Sequence, residues 1–125
     1  MKTPLLASAL CFLLAGAALA QEPARTADTA KGKALVDAKG MTLYTFDKDM
    51  GGKSACNGQC ATNWPPLMAA TGAKDMGSWT VVTREDGTRQ WAYKAKPLYT
   101  FAKDSKAGDA TGDGLLQGVW HVATP

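Results

Sequence analysis

Charge of one sign is scarce in this chain. Its 14 lysines and arginines stand against 11 aspartates and glutamates, a formal net charge of +3 over 125 residues. The lysines are scattered among aspartates, so no concentrated basic face is available for nucleic acid. Histidine occurs once, at His121, and nothing beside it in sequence supplies the partners of a hydrolase base. There is no glycine-rich nucleotide loop, nucleophile elbow or zinc-protease helix, and no catalytic residue is assigned. Long amphipathic helical periods are missing too, because 13 glycines and 6 prolines cut the chain into short pieces.

The longest apolar run is N-terminal. Lys2 gives a positive start, Leu5 to Leu14 an apolar stretch and Ala18-Leu19-Ala20 a small-x-small cleavage site, the pattern of a secretory signal. At roughly 15 residues the run is short of the ~20 that span a bilayer. The expectation is a cleavable signal peptide over 1–20, a chain starting at Gln21 in the periplasm or outside the cell, and no transmembrane anchor. Cys11 follows Ser8-Ala9-Leu10 and precedes more apolar sequence, so no lipid anchor is expected there. What remains has the length of one domain with a modest core.

A seven-letter phrase then appears twice: "LYTFDKD" at Leu43 to Asp49 and "LYTFAKD" at Leu98 to Asp104. Trp64 and Trp120 follow the two phrases in near register, with one residue inserted in the second copy. The sequence predicts a mainly β, small single domain over 34–125, built from two pseudo-repeated β units (copies about 34–70 and 85–123), each too small to bury its aromatic face alone. The polar "EPARTADTAKGK" from Glu22 to Lys33 lacks any hydrophobic period, so 21–33 is expected as a flexible leader. Asp37-Ala38-Lys39-Gly40 divides two short apolar runs as a hairpin turn would. Asp86-Gly87 between Trp79–Thr83 and Arg89–Lys94 marks a second hairpin. A short helical turn is expected in "CATNWPPL", near the cysteines, stopped by Pro65-Pro66.

Strand alternation sends Tyr44 and Phe46 to one face, and Tyr99 and Phe101 likewise, with Leu43 and Thr45 opposite. Asp49 and Asp104 fall just past the strands, where a carboxylate caps turn N–H groups. These six motif residues, Tyr44, Phe46, Asp49, Tyr99, Phe101 and Asp104, read as aromatic core plus turn cap. The alternative is a paired ligand or ion site, with the tyrosines and aspartates converging on a pseudo-twofold axis.

With "CNGQCATNWPPL" and "GDGLLQGVWHV", the repeated Tyr-x-Phe-x-x-Asp phrase resembles the bacterial secreted-repeat family of predicted lipoproteins with a Tyr-x-aromatic-x-x-Asp motif. The resemblance covers nearly all of Leu35 to Ala123. It implies an exported or envelope repeat and carries over no catalytic residue.

Cys56 and Cys60 are the only cysteines after the signal, and export to an oxidising compartment makes them a disulfide candidate. The competing chemistry is Cu(I) held by Cys56, Cys60 and His121, with Met41, Met50, Met68 and Met76 offering thioethers. Asp104, Asp109 and Asp113 raise calcium but lack the register of a calcium loop. The expected role is a secreted or periplasmic envelope module, binding or structural, with an envelope partner or small ligand and no cofactor. A periplasmic copper-binding or thiol redox protein is the alternative.

Overall fold

The computed structural model describes residues 22–125. The expected signal segment 1–20, with Cys11, and the start at Gln21 lie outside the described residues. Seven short strands carry the fold: β1 (Arg25–Thr29), β2 (Gly32–Val36), β3 (Tyr44–Phe46), β4 (Trp79–Thr83), β5 (Arg89–Tyr93), β6 (Lys96–Pro97) and β7 (Trp120–Val122). They pair antiparallel as β1-β2, β3-β7 and β4-β5-β6. The chain is mainly β and made of two related units, as the repeat implies.

The stretch expected as a leader instead holds β1 and the start of β2. Thr29 Oγ donates to the Gly32 carbonyl at 2.7 Å and accepts from Lys31 N–H, closing the turn between the two strands. No alternation announced β1 because most of its residues are exposed, and a strand without a buried face has no hydrophobic period to read. The two hairpin turns that were read do form. Gly40 N–H reaches the Asp37 carbonyl, and Gly87 takes φ 88° between β4 and β5, a conformation that favours glycine.

A one-turn helix, α1 (Gln59–Asn63), starts after Gly58, whose φ is 60°. It ends where Trp64 N–H caps the Cys60 carbonyl at 2.8 Å, directly before the two prolines. Its counterpart, α2 (Leu115–Gly118), is not a regular right-handed turn, for Leu116 and Gln117 lie in the left-handed region.

The halves are interlocked by exchange of their last segments. In one triangle Leu35 N–H reaches Ala123 O, Ala123 N–H reaches Leu43 O and Leu43 N–H reaches Leu35 O. In the other Trp91 N–H reaches Leu67 O, Leu67 N–H reaches Leu98 O and Leu98 N–H reaches Trp91 O. The hairpin of each half is therefore completed by the tail of the other. Where the halves meet, Tyr44 N–H donates to Tyr99 O at 2.7 Å and Tyr99 N–H to Tyr44 O at 3.0 Å. That mutual pair is symmetric by construction and marks the pseudo-twofold axis.

Alternation along the repeated phrase sorts neighbours into two cores. Leu43 and Leu98 join Ala24, Leu35, Trp79 and Ala123, whereas Tyr44 and Tyr99 join Cys56, Trp64, Phe101 and Trp120. In the second core four rings stack in the order Phe46, Trp120, Trp64, Phe101. The central indoles lie 3.7 Å apart and within 3° of parallel. Tyr44 meets Trp64 edge-on at 5.4 Å and Tyr99 meets Trp120 edge-on at 5.2 Å, so the four-ring stack and these two tyrosine contacts obey the same twofold.

Candidate functional site

The motif residues converge, but across the repeats. Tyr44 donates its hydroxyl to Asp104 at 2.6 Å, and Tyr99 donates its own to Asp49 at 2.7 Å. The tyrosine of each copy is thus bonded to the aspartate of the other. The remaining carboxylate oxygens cap turns, as Asp49 accepts from Ala55 N–H and Asp104 from the Thr111 N–H and hydroxyl. Phe46 and Phe101 close the two ends of the ring stack.

The two crossed pairs differ in what surrounds them. Gly112 N–H donates to the Tyr44 hydroxyl at 3.2 Å. A side chain at Gly112 would press into the Trp64 ring, since an added Cβ would come within 2.7 Å of it. At the other pair Ser54 is interposed: its hydroxyl shares a 2.7 Å hydrogen bond with Tyr99 and accepts from Cys56 N–H. Arg84 donates to Ser54 Oγ at 3.0 Å, Gln90 Oε1 at 2.8 Å and the Cys56 carbonyl at 2.6 Å. Arg84 is only 6% exposed, so a buried guanidinium reaches a carboxylate through two hydroxyls, by way of Ser54 and Tyr99 to Asp49.

These surroundings set the proton affinities. Burial, reinforced by the Asp104 hydrogen bond, holds the Tyr44 phenol well above its ordinary value of 10.0. Burial does the same for Tyr99, with the Ser54 hydrogen bond working against it and Asp49 adding to it. Burial also raises the Asp49 carboxyl, against the opposing pull of Ala55 N–H, the Tyr99 hydroxyl and Arg84.

Cys56 and Cys60 are joined in a disulfide, S–S 2.05 Å, with Cys56 fully buried in the aromatic core. His121 is engaged elsewhere, its Nε2 lying 2.8 Å from Asp47 Oδ2 at the surface. Among the described residues, no group of three or more His, Cys, Asp or Glu side chains is placed to hold a metal ion. The aspartates weighed for calcium serve separate backbone contacts: Asp109 accepts from Ser105 and Lys106 N–H, and Asp113 from Val122 N–H.

A separate cleft of about 470 Å³ lies beside β3, β6 and β7, with Thr45, Asp47, Lys94, Lys96 and His121 among its lining residues. Sequence reasoning singled out His121 here and missed the others. The lysines looked like ordinary surface charge, and nothing in the sequence around Arg84 sets it apart from any polar residue before a turn. Ser54 and Gly112 carried a faint signal, because they fall where the two otherwise similar copies differ.

Among the described residues no helix is long and apolar enough to cross a membrane. Comparison with protein-family models matches residues 25–68 and 80–124 to a secreted repeat of unknown function. These two spans coincide with the two interlocked halves and begin at or next to β1 and β4. Neither curated proteins nor solved structures returned a match. Two matched copies cover more than half of the chain, and it belongs to the family of secreted repeats of unknown function.

Proposed function

We propose that the protein is an exported, non-catalytic binding module of the cell envelope, in which the Tyr-x-Phe-x-x-Asp motif is scaffold and the cleft beside β3 and β7 is the contact surface. One observation carries this reading. The motif's hydroxyls and carboxylate oxygens are all bonded inside the protein, Tyr44 to Asp104 and Tyr99 to Asp49, with turn N–H groups on the remaining oxygens. A group so engaged would have to break internal bonds to take a ligand. In the cleft Asp47 and His121 hold each other, but among the described residues Lys94 and Lys96 carry no such obligation toward a carboxylate, and a volume of about 470 Å³ lies within the range of small-molecule sites.

Export favours an envelope target, and the test is co-sedimentation of the purified exported protein with isolated cell-wall sacculi and with envelope membrane vesicles. Saturable binding to one fraction is expected, retained in Tyr99→Phe and reduced by Thr45→Trp, which fills the cleft. Binding to neither fraction, or binding indifferent to a filled cleft, refutes the reading. The copper or thiol redox alternative requires reduction of the Cys56–Cys60 bond and release of His121 from Asp47; its own test is a Cu(I) titration of the reduced protein.

A further inference from the structure

The turn that borders the cleft is built against its own preferences. Tyr93 pairs with Lys96 across the β5–β6 hairpin, leaving Lys94 and Ala95 as a two-residue loop with φ 50° and 70°. A tight hairpin of this kind calls for Asn-Gly or a similar pair. Here neither residue is glycine, asparagine or aspartate, and both are held in the left-handed region. Strain maintained beside a cleft is a mark of a functional constraint. Its effect is to place two lysines at one rim, with Lys94 Nζ poised 5.1 Å from the centre of the Tyr93 ring.

The charges around the cleft are unequal. Asp47 is engaged by His121, whereas among the described residues neither Lys94 nor Lys96 has a carboxylate within salt-bridge distance. The Asp47 carboxylate takes up His121 Nε2, which leaves the other ring nitrogen to a ligand hydroxyl, a group that can both donate and accept. Thr45, cross-strand partner of His121, adds a hydroxyl. The cleft therefore offers two ammonium groups for an anion, and a ring nitrogen and a hydroxyl for a polyhydroxyl body.

We infer that this cleft binds a small hydroxylated organic anion, a sugar acid or a sugar phosphate, with its charged group on Lys94 and Lys96 and a hydroxyl on His121. The inference rests on the binding-module reading and adds to it the chemical class of the ligand.

The test is an NMR-monitored titration of the exported protein with glucuronate and glucose 6-phosphate in separate arms, and with glucose and inorganic phosphate as controls. At least one charged sugar should shift the Thr45, Lys94 and His121 amides in a saturable way, and the arm that does so identifies carboxylate or phosphate as the recognised group. Lys94→Gln and Lys96→Gln should each weaken that binding about tenfold, the loss expected for a charge-assisted hydrogen bond. Lys31→Gln, in the β1–β2 turn, should leave it unchanged. Unchanged near-ultraviolet circular dichroism from the tryptophan stack establishes that the variants are folded.

Glucose binding as tightly as the charged sugars overturns the anion assignment. Inorganic phosphate binding as tightly as glucose 6-phosphate overturns the polyhydroxyl part, and the absence of saturable binding by either charged sugar overturns the whole inference. Sacculus or vesicle binding that survives both lysine substitutions would leave the module reading standing while the ligand class falls.

Discussion

If the crossed tyrosine–aspartate pairs hold the halves together, Tyr44→Phe removes one hydroxyl and little else, yet it should weaken the entire domain. The lost bond runs from a fully buried phenol to Asp104, itself 7% exposed, and a hydrogen bond to a charged group contributes about 1.5–3 kcal/mol. Gly112 N–H also loses its acceptor in a buried setting, which brings the expected cost to about 2–4 kcal/mol. Tyr99→Phe should cost less, about 1–2 kcal/mol, because Asp49 is only partly buried and keeps Ala55 N–H, and Ser54 keeps Arg84.

The pairing itself is read by double-mutant cycles in urea, followed by tryptophan fluorescence and far-ultraviolet circular dichroism. Tyr44→Phe combined with Asp104→Ala should show a coupling of about 1–3 kcal/mol, whereas Tyr44→Phe combined with Asp49→Ala should be additive within about 0.5 kcal/mol. Both probes should report one transition in every variant. Coupling of Tyr44 to Asp49, within the same copy, or separate transitions for the two halves, would refute the interlocked arrangement.

The other predictions concern the ring stack, the disulfide and alkaline pH. Gly112→Ala puts a methyl 2.7 Å from the Trp64 ring and 3.0 Å from Phe101, so a loss of about 1–3 kcal/mol and an altered near-ultraviolet signal are expected; an unchanged melting temperature would contradict the packing. Cys56→Ser with Cys60→Ser should cost about 2 kcal/mol by releasing a short loop, and His121→Ala should leave thiol reactivity as it was. A one-to-one Cu(I) complex lost in both the cysteine and the histidine variants would favour the redox alternative instead. Both core phenols are raised above 10.0 in the folded state, so the native protein retains protons that the unfolded chain releases. The stability they contribute is complete below about pH 10 and falls as pH climbs toward the folded values. The urea midpoint should hold up to about pH 10 and drop as pH rises above it, and drop less in Tyr44→Phe.

The legible parts of the sequence were those fixed by local chemistry. Alternation alone divided Leu43 from Tyr44 and Leu98 from Tyr99, and the two cores follow that division. Asp86-Gly87 specified its hairpin, and the expectation of export favoured a disulfide over a copper site for Cys56 and Cys60, the bond the structure forms. Strand β1 escaped because its exposed residues show no period. The crossing of Tyr44 to Asp104 also escaped, since a strand and its following turn look the same whether a tyrosine bonds its own aspartate or its twin's. Arg84 lies 30 residues from Ser54 in sequence, and no local rule connects a cation before a β-turn with a serine after a glycine pair. The left-handed Lys94-Ala95 turn ran directly against the residue preferences that turn reading depends on.

Residues at the pseudo-twofold axis face their own counterparts. Tyr44 pairs with Tyr99 through the backbone, Trp64 lies on Trp120, and each tail completes the other half's hairpin. This is the geometry of a twofold homodimer written on a single chain. In a homodimer every substitution is made twice, so the axis and the rim change together. Joining the halves covalently removes that restraint where a residue has no contact with its counterpart. The axis keeps its matched rings and its Tyr–Asp bonds, because a change there must be accommodated by both copies at once. The rim has diverged, with Ser54 and a buried Arg84 beside one pair and Gly112 beside the other. The lysines at the rim of the cleft beside β3, β6 and β7 also fall outside the repeated phrase, so the repeated motif explains how the domain is held together, and the ligand class proposed for the cleft rests on residues that the motif does not supply.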